Sequence, residues 1–210
     1  MILIGQYDSP FVRRVAVALH HHAMPYDHRT WSVWGQADQI AELNPLRRVP
    51  VVVLGDGEIL VDSAAILDAI DDLAAERGGT APLVPRSGPA RRAVLRATAF
   101  ATGLADKAVS LVYEVHLRTE EHRSAVWIER CTAQIRQTLD LLERERAAAA
   151  GEFWFGSLSH ADIALGCMLR FVGEAHPALL AESPRPALAA HAARCEAMPM
   201  FAAVVQPFGL

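Results

Sequence analysis

Residues 44–63 read NPLRRVPVVVLGDGEILVDS and decide the fold, because they combine a strand hairpin with two polar breaks. The runs Val51–Leu54 and Glu58–Val61 are apolar and rich in β-branched residues, and the Gly-Asp-Gly between them is a typical hairpin turn. Pro50 directly precedes the first run, where a proline removes a hydrogen-bond donor from a sheet. Asp62-Ser63 follows the second run, at the expected start of a helix.

The residues around this stretch supply the other elements of a small α/β domain. Ser9-Pro10 places a capping residue and a first-turn proline before an apolar pattern of helical spacing. Asn44-Pro45 ends a short helical segment. The predicted order is βαβαββα, over Met1–Gly5, Pro10–Ala23, Tyr26–Trp31, Gln36–Leu43, Val51–Leu54, Glu58–Val61 and Ser63–Ala75.

The chain is expected to contain two domains. Residues 78–89 hold three glycines and three prolines without clear periodicity, which is typical of a linker. We therefore predict a first domain over residues 1–77, a linker over 78–89 and an all-helical domain over 90–210.

Long alanine- and leucine-rich stretches predict the helices of the second domain. Ala90–Leu117 and Glu120–Ala150 are expected to pack antiparallel, and Pro186–Phe208 predicts a last amphipathic helix. Ser159–Asp162 fits a capping box before an apolar helix, which indicates a role in folding rather than in chemistry.

Composition excludes several classes of function. The 210 residues are 52% hydrophobic with a formal net charge of −4, so the basic surface of a nucleic-acid-binding protein is not expected. No segment reaches the roughly 18 uncharged apolar residues of a membrane span. The apolar start Met1–Ile4 is too short for a signal sequence. We expect a cytoplasmic protein that binds neither nucleic acid nor membranes.

The cysteines and histidines do not indicate a metal site. Cys131, Cys167 and Cys195 are odd in number and widely spaced, which predicts buried thiols rather than disulfides or zinc ligands. Consecutive residues on a helix point in different directions, so His20–His22 cannot jointly hold one ion. This histidine run is expected to be an exposed helix end.

Three polar breaks in the first domain fall where apolar runs begin or end: Ser9-Pro10, Val49-Pro50 and Asp62-Ser63. A cis bond before Pro50 would turn the backbone of Val49 away from the sheet, where a peptide-like ligand can pair with it. Ser9 and Ser63 lie at positive helix ends that suit an anion. The structural alternative is a trans edge proline and two ordinary helix caps. Convergence of the three breaks at one sheet edge predicts a binding site.

Taken together, these segments resemble one family. Ser9–Val15 (SPFVRRV), Asn44–Pro50 (NPLRRVP) and Asp62–Ile66 (DSAAI) are similar to the N-terminal domain of soluble glutathione transferases. The capping box at Ser159–Asp162 is similar to a feature of their C-terminal domain. The resemblance spans the chain and is strongest to bacterial members with serine at the active position. It implies a thioredoxin-like domain with a mixed four-stranded sheet and a cis proline at Pro50, an all-helical second domain, and a cytosolic homodimer.

The resemblance also implies which residues bind glutathione. Val49, beside Pro50, is expected to pair its backbone with the cysteinyl part, and Phe11 to shape the pocket near the sulfur. Asp62-Ser63 is expected to hold the γ-glutamyl end, with the carboxylate on the ammonium and the hydroxyl on the α-carboxylate. Arg48 is expected near the glycyl carboxylate.

Two residues depart from the family pattern. Arg47 stands where the family usually has glycine, and Asp62 replaces the more frequent glutamate, which shortens the reach by one methylene. Both departures favour a non-catalytic, ligand-binding member as an alternative reading of the chain.

The expected chemistry is attack by the glutathione thiolate on a small hydrophobic electrophile, as in a glutathione S-transferase. Ser9 is the predicted hydrogen-bond donor to the sulfur, and Tyr7 is the alternative donor, because many relatives use a tyrosine near the end of the first strand. No metal or redox cofactor is implied beyond glutathione as co-substrate. The residues predicted for the electrophile pocket are Tyr7, Trp34, Asp106, Val109 and Tyr113.

Other activities on the same scaffold remain open at this point. A glutathione-dependent isomerase or dehalogenase of the same family has the same motifs. A thiol-disulfide oxidoreductase is disfavoured, because Ser9 occupies the place where such enzymes keep a nucleophilic cysteine.

Overall fold

Four short strands form one mixed sheet in the order β2-β1-β3-β4. The strands are β1 (Ile2–Ile4), β2 (Asp27–Arg29), β3 (Val51–Val53) and β4 (Ile59–Val61). β1 is parallel to β2 and antiparallel to β3, and β3 pairs with β4 as the predicted hairpin. This computed structural model of the protein describes residues 1–209.

Three helices alternate with these strands and confirm the predicted order βαβαββα. They are α1 (Pro10–His21), α2 (Ala37–Leu43) and α3 (Ser63–Glu76). α1 begins where predicted because Ser9 is its N-cap and Pro10 occupies the first turn. The helices α1 and α3 pack against each other. The apolar side chains with no exposed surface in this part include Leu3, Ile4, Val12, Val15, Leu19, Ile40, Val51, Val52, Ile66 and Ile70.

The second half of the chain is all-helical, as predicted. α4 (Gly88–His116) packs against α5 (Ala125–Ala148) and α6 (His160–Ala175), and α7 (Pro177–Ala181) and α8 (Pro186–Ala197) follow. α6 is buried along most of its length, so it forms the centre of this bundle. None of the helices in residues 1–209 combines the length and the apolar composition that a membrane span requires.

Two predicted helices are shorter than expected. The stretch predicted from Glu120 begins as a separate 3-10 turn over Glu120–His122, and α5 starts only after Ser124, whose side chain caps it. The last predicted helix stops at Ala197, because Pro199 forces extended backbone on the preceding residue. A short helix, α9 (Pro199–Ala202), follows.

The predicted capping box at the start of α6 is present and lies within a buried polar network. The Asp162 carboxylate has no exposed surface and accepts from the backbone N–H groups of Trp154 (2.8 Å) and Ser159 (3.0 Å). The Nε of Arg146 donates to Nδ1 of His191 at 3.2 Å. The Nε2 of His191 in turn donates to the Asp162 carbonyl at 3.1 Å. Burial lowers the pKa of His191, which favours the neutral imidazole that can accept from Arg146.

The three cysteines are free and buried, as predicted. Burial raises the pKa of the Cys195 thiol to about 12. Since the thiolate is the reactive form, this cysteine is a packing residue rather than a nucleophile.

The chain divides into two compact units, residues 1–86 with the segment from Ala197 onward, and residues 87–196. This division differs from the predicted one at the chain end, because Arg13 on α1 forms hydrogen bonds with the segment that follows Ala197. The Arg13 side chain is 2% exposed and donates to the carbonyls of Val204 (3.0 Å) and Phe201 (3.2 Å). Part of the predicted linker also packs in the first unit, where Leu83 is 2% exposed.

The prediction of an exposed histidine run is wrong for His22. Only His20 is exposed, whereas His22 is 8% exposed and caps the end of α1. Its Nε2 lies 3.0 Å from Oδ1 of the buried Asp71 on α3, and its Nδ1 lies 2.5 Å from the Thr80 hydroxyl. His22 therefore ties α1 to α3 and to the segment that follows α3.

We expect His22→Phe to lower the free energy of unfolding by about 1–3 kcal/mol, because Asp71 and Thr80 lose a buried hydrogen-bonding partner. The exposed neighbour serves as the control, and His20→Phe is expected to change it by less than about 0.5 kcal/mol. Urea denaturation of the three proteins measures both values. Equal effects of the two substitutions would contradict a specific role for His22.

Candidate functional site

The strand register brings the three polar breaks to one edge of the sheet. Ile4 pairs with Val51, and Val51 pairs with Val61, so these residues form one row across three strands. The next residues beyond this row are Gly5 after β1, Pro50 before β3 and Asp62 after β4. The ends of three strands therefore meet where the sequence predicts a site.

Gly5 shows how closely the first two breaks approach each other. A Cβ atom placed on Gly5 would lie 2.5 Å from Cγ2 of Val12 and 2.9 Å from Cβ of Val49, and Gly5 has a φ of +127°. Only glycine adopts this backbone and leaves room for both neighbours. Gly5 was not among the predicted site residues, although a glycine directly after a strand is a signal for such close packing.

Ser9 lies at the N-terminus of α1 with an available hydroxyl proton. Its Oγ accepts a long hydrogen bond of 3.4 Å from the Val12 N–H, and this contact leaves the Ser9 O–H free to donate. The first turn of α1 contains no acidic residue, so its positive end is not neutralised there. Phe11, in the same turn, is half-buried.

The side chain of Tyr7, the alternative donor, contacts Tyr26 and His28. Its hydroxyl lies 2.7 Å from the Tyr26 hydroxyl, and its ring stacks on His28 with centroids 4.0 Å apart. Burial raises the pKa of Tyr7. The Tyr7 hydroxyl already has the Tyr26 hydroxyl as its partner, whereas the Ser9 hydroxyl at the start of α1 only accepts in its one contact and can donate to a thiolate.

A hydrogen-bonded loop presents the residue before Pro50. The Asn44 side chain is buried, donates to the Arg48 carbonyl at 2.9 Å and accepts from the Leu46 N–H at 3.1 Å. Arg48 is exposed and Val49 is half-buried, and the Val49–Pro50 peptide bond is cis. Asn44 therefore supports the loop, a role that its predicted place at the end of a helix did not indicate.

Arg47 has a left-handed backbone conformation with a φ of +53°, a conformation that favours glycine. Its guanidinium pairs with Asp38 at 3.1 Å, but both side chains are well exposed. Exposed pairs of this kind contribute little to stability.

We expect the free energy of unfolding of Arg47→Gly to be about 1 kcal/mol higher than that of Arg47→Ala. Both variants lose the ion pair with Asp38, but only glycine relieves the strain of the left-handed backbone. The neighbouring Arg48 does not have a positive φ. There the order should reverse, with Arg48→Ala more stable than Arg48→Gly. Guanidinium denaturation of the four variants measures the two differences, and the same order at both positions would contradict the strain at Arg47.

Asp62 and Ser63 form the start of α3. Asp62 is exposed with a φ of +69°, and its Oδ1 accepts from the Ala64 N–H at 2.8 Å as the N-cap. Ser63 is the first helical residue and is 6% exposed. The first turn of α3 itself contains no acidic residue, but the carboxylate of the N-cap Asp62 lies against this helix end and offsets part of its positive charge.

The residues predicted for the electrophile pocket lie in both units. Trp34 is 45% exposed in the segment before α2, where its N–H donates to the Ser32 hydroxyl at 3.1 Å. Asp106, Val109 and Tyr113 lie on α4 at spacings that place them along one side of the helix. Asp106 is exposed and Tyr113 is 42% exposed, so this side of α4 has side chains accessible to a ligand.

The described residues do not form a metal centre. Among residues 1–209, no group of three or more His, Cys, Asp or Glu side chains is arranged to hold a metal ion.

Comparison with known proteins identifies relatives of this chain. The family model described as glutathione S-transferase, N-terminal domain, matches residues 3–78, and the model for the C-terminal domain matches residues 125–194. Glutathione S-transferase U1 of Arabidopsis thaliana is 31% identical over 172 residues, which cover 80% of this chain and 70% of the relative.

Two solved structures have the same fold over nearly their whole length. A glutathione S-transferase from Methylobacillus flagellatus with glutathione bound has a TM-score of 0.86 and 29% identity, and the match covers 97% of this chain and 98% of the other. A glutathione S-transferase from Methylobacterium radiotolerans in complex with glutathione sulfonate has a TM-score of 0.89 and 28% identity. This match covers 100% of this chain and 95% of the other.

Proposed function

The chain belongs to the glutathione S-transferase family, and we propose that it activates the thiol of glutathione for attack on a small electrophilic molecule. One observation carries this proposal. The register of β1, β3 and β4 places the turn that leads to Ser9, the Val49–Pro50 segment and the Asp62-Ser63 helix start at one edge of the sheet. Glutathione needs this combination, because it offers a thiol, a peptide backbone and charged ends.

The charged ends of glutathione match the groups at this edge. We assign the γ-glutamyl ammonium to the Asp62 carboxylate, and the α-carboxylate to the Ser63 hydroxyl at the positive end of α3. The backbone of Val49 is assigned to the cysteinyl part, and the exposed Arg48 to the glycyl carboxylate. Bound in this way, the tripeptide has its cysteine between β3 and the start of α1, next to Phe11 and Ser9.

Activation requires that the sulfur be bound as the thiolate. A free thiol has a pKa of about 8.5, and lowering it by about two units requires about 2.7 kcal/mol. A charge-assisted hydrogen bond from the Ser9 hydroxyl supplies about 1.5–3 kcal/mol, and the N-terminus of α1 about 0.3–2 kcal/mol. These two contributions are sufficient without a metal or redox cofactor.

The chemical step is a nucleophilic substitution. The thiolate forms a sulfur–carbon bond with the electrophile, the electron pair of the broken bond leaves with the leaving group, and Ser9 acts as a donor rather than as a base. From the predicted electrophile set we keep Trp34, which is exposed and lies in the same unit as Ser9. Tyr7 is omitted from this set, because its side chain contacts Tyr26 and His28.

We further propose that the protein is cytoplasmic and forms a homodimer. Support for the dimer comes from β4, the edge strand of the sheet, where Ile59 is 42% exposed and Val61 is 37% exposed. An apolar edge strand is normally covered, and a second copy of the chain would cover this one.

With chlorodinitrobenzene as the electrophile, the wild-type protein is expected to form the glutathione conjugate, and Ser9→Ala to lower kcat/KM by about 10- to 100-fold, the equivalent of one charge-assisted hydrogen bond. The KM for glutathione should change little. The thiol pKa in the pH–rate profile should rise toward about 8.5.

The matched control for this variant is Ser124→Ala. Ser124 caps α5 by accepting from the Trp127 N–H at 3.3 Å, which is nearly the geometry of the Ser9 cap. Ser124→Ala therefore measures the effect of removing a helix cap that lies outside the proposed glutathione site. Its kcat/KM should stay within about twofold of wild type. If Tyr7→Phe inactivates the enzyme and Ser9→Ala does not, Tyr7 is the donor. Binding to immobilised glutathione without turnover by the wild type would instead indicate a non-catalytic member.

A second prediction concerns the charge of Asp62. Asp62→Asn keeps a side chain that can cap α3 and tolerates the left-handed backbone, but it removes the charge opposite the ammonium. The KM for glutathione should rise about tenfold or more, with kcat at saturation nearly unchanged.

Asp56→Asn is the matched control, because Asp56 makes the same local contact. Its Oδ1 accepts from the N–H two residues on, that of Glu58, at 3.1 Å in the β3–β4 turn. An equal rise of the KM in both variants would exclude a specific contact between Asp62 and glutathione.

A further inference from the structure

A cavity of about 450 Å³ opens beside the end of α1 and the strand β2. Its polar lining consists of Tyr7, Tyr26, His20 and His28. The volume lies within the roughly 300–1,000 Å³ of small-molecule sites in proteins. The cavity belongs entirely to the first unit, and the residues assigned to glutathione do not line it.

The two phenols provide one hydroxyl proton to a ligand. The hydroxyls of Tyr7 and Tyr26 lie 2.7 Å apart, and in such a pair one hydroxyl donates to the other. The accepting hydroxyl keeps its own proton for an external acceptor. Burial raises the pKa of both tyrosines, so both remain protonated donors at neutral pH.

His28 adds a hydrogen-bond acceptor. Its Nε2 donates to the Gly5 carbonyl at 2.7 Å, because a carbonyl can only accept. In the neutral ring this assigns the proton to Nε2 and leaves a lone pair on Nδ1. The ring is held by its stacking on Tyr7, with an interplanar angle of 13°.

The rest of the lining is apolar and contains no charged carboxylate, lysine or arginine side chain. Ala23 and Pro25 are the exposed residues of this part of the wall, and the buried Leu19 and Met24 lie behind them. A charged ligand would lose hydration in such a cavity without gaining an opposite charge. A flat apolar ligand is favoured, because aromatic and aliphatic walls bury its surface.

We propose that this cavity binds a neutral hydroxylated aromatic molecule, whose ring lies against the apolar wall and whose hydroxyl accepts from the tyrosine pair and donates to His28. A phenolic oxygen both accepts and donates, so it matches one donor and one acceptor at the same time. The site is separate from the glutathione site and goes beyond the proposed conjugation reaction.

The test uses 2-naphthol, with naphthalene as the analogue that lacks the hydroxyl, and follows binding by ligand fluorescence. 2-Naphthol is expected to bind the wild type with a Kd of about 10–100 µM and naphthalene about fivefold more weakly, the equivalent of one hydrogen bond. Saturating S-hexylglutathione should leave the Kd for 2-naphthol unchanged. Displacement of 2-naphthol by S-hexylglutathione, or no binding at about 1 mM, overturns the proposal.

Three variants locate the site. Tyr7→Phe/Tyr26→Phe replaces both partners of the pair by apolar rings, so the fold should be retained. This double variant should bind 2-naphthol about fivefold more weakly, and its Kd for naphthalene should equal that of the wild type. Pro25→Trp, at an exposed position of the lining, should fill the cavity and abolish binding of both ligands. Tyr113→Phe, which removes a hydroxyl from α4, is the control and should change neither Kd. The proposal is overturned if Tyr113→Phe binds 2-naphthol more weakly while the other two variants bind it as tightly as the wild type does.

Discussion

The packing around Gly5 is the constraint on which the candidate site depends. Val12 in the first turn of α1 and Val49 before β3 both approach this residue so closely that a Cβ atom would lie less than 3 Å from each. Any side chain at this position would push the helix or the loop away from the sheet. The glycine therefore fixes how far the Ser9 hydroxyl lies from the backbone of Val49, and this spacing decides whether one tripeptide can contact both.

Backbone hydrogen bonds then hold the turn between Gly5 and Ser9 in place. The Gly5 N–H donates to the Arg29 carbonyl at 2.9 Å, its carbonyl accepts from His28, and the Tyr7 N–H donates to the side chain of Gln206 at 3.0 Å. The proposed aromatic cavity and the Ser9 turn share His28 as a support. In the proposed mechanism, a Ser9 hydroxyl in a turn held in this way needs little reorganisation when the thiolate forms, which is the basis of electrostatic preorganisation.

Local signals in the sequence were sufficient to predict the fold and the meeting of the three polar breaks at one edge of the sheet. The order βαβαββα, the hairpin and the capping box at Ser159–Asp162 each depend on residues close in sequence. The burial of His22, the partners of Tyr7 and the docking of the tail on Arg13 were not predictable in this way. Each of these depends on a contact between distant parts of the chain or on the direction of one side chain, such as the bond from Arg13 to Val204 across 191 positions.

The aspartate at position 62 has a structural role that the sequence alone did not show. Asp62 has a positive φ, and its short side chain reaches the Ala64 N–H two residues on, a contact that stabilises both the left-handed backbone and the start of α3. A glutamate has one more methylene and is a poorer cap at this distance. One carboxylate oxygen of Asp62 thus caps the helix and helps to fix the position of Ser63, which leaves the second oxygen for the proposed contact with the γ-glutamyl ammonium.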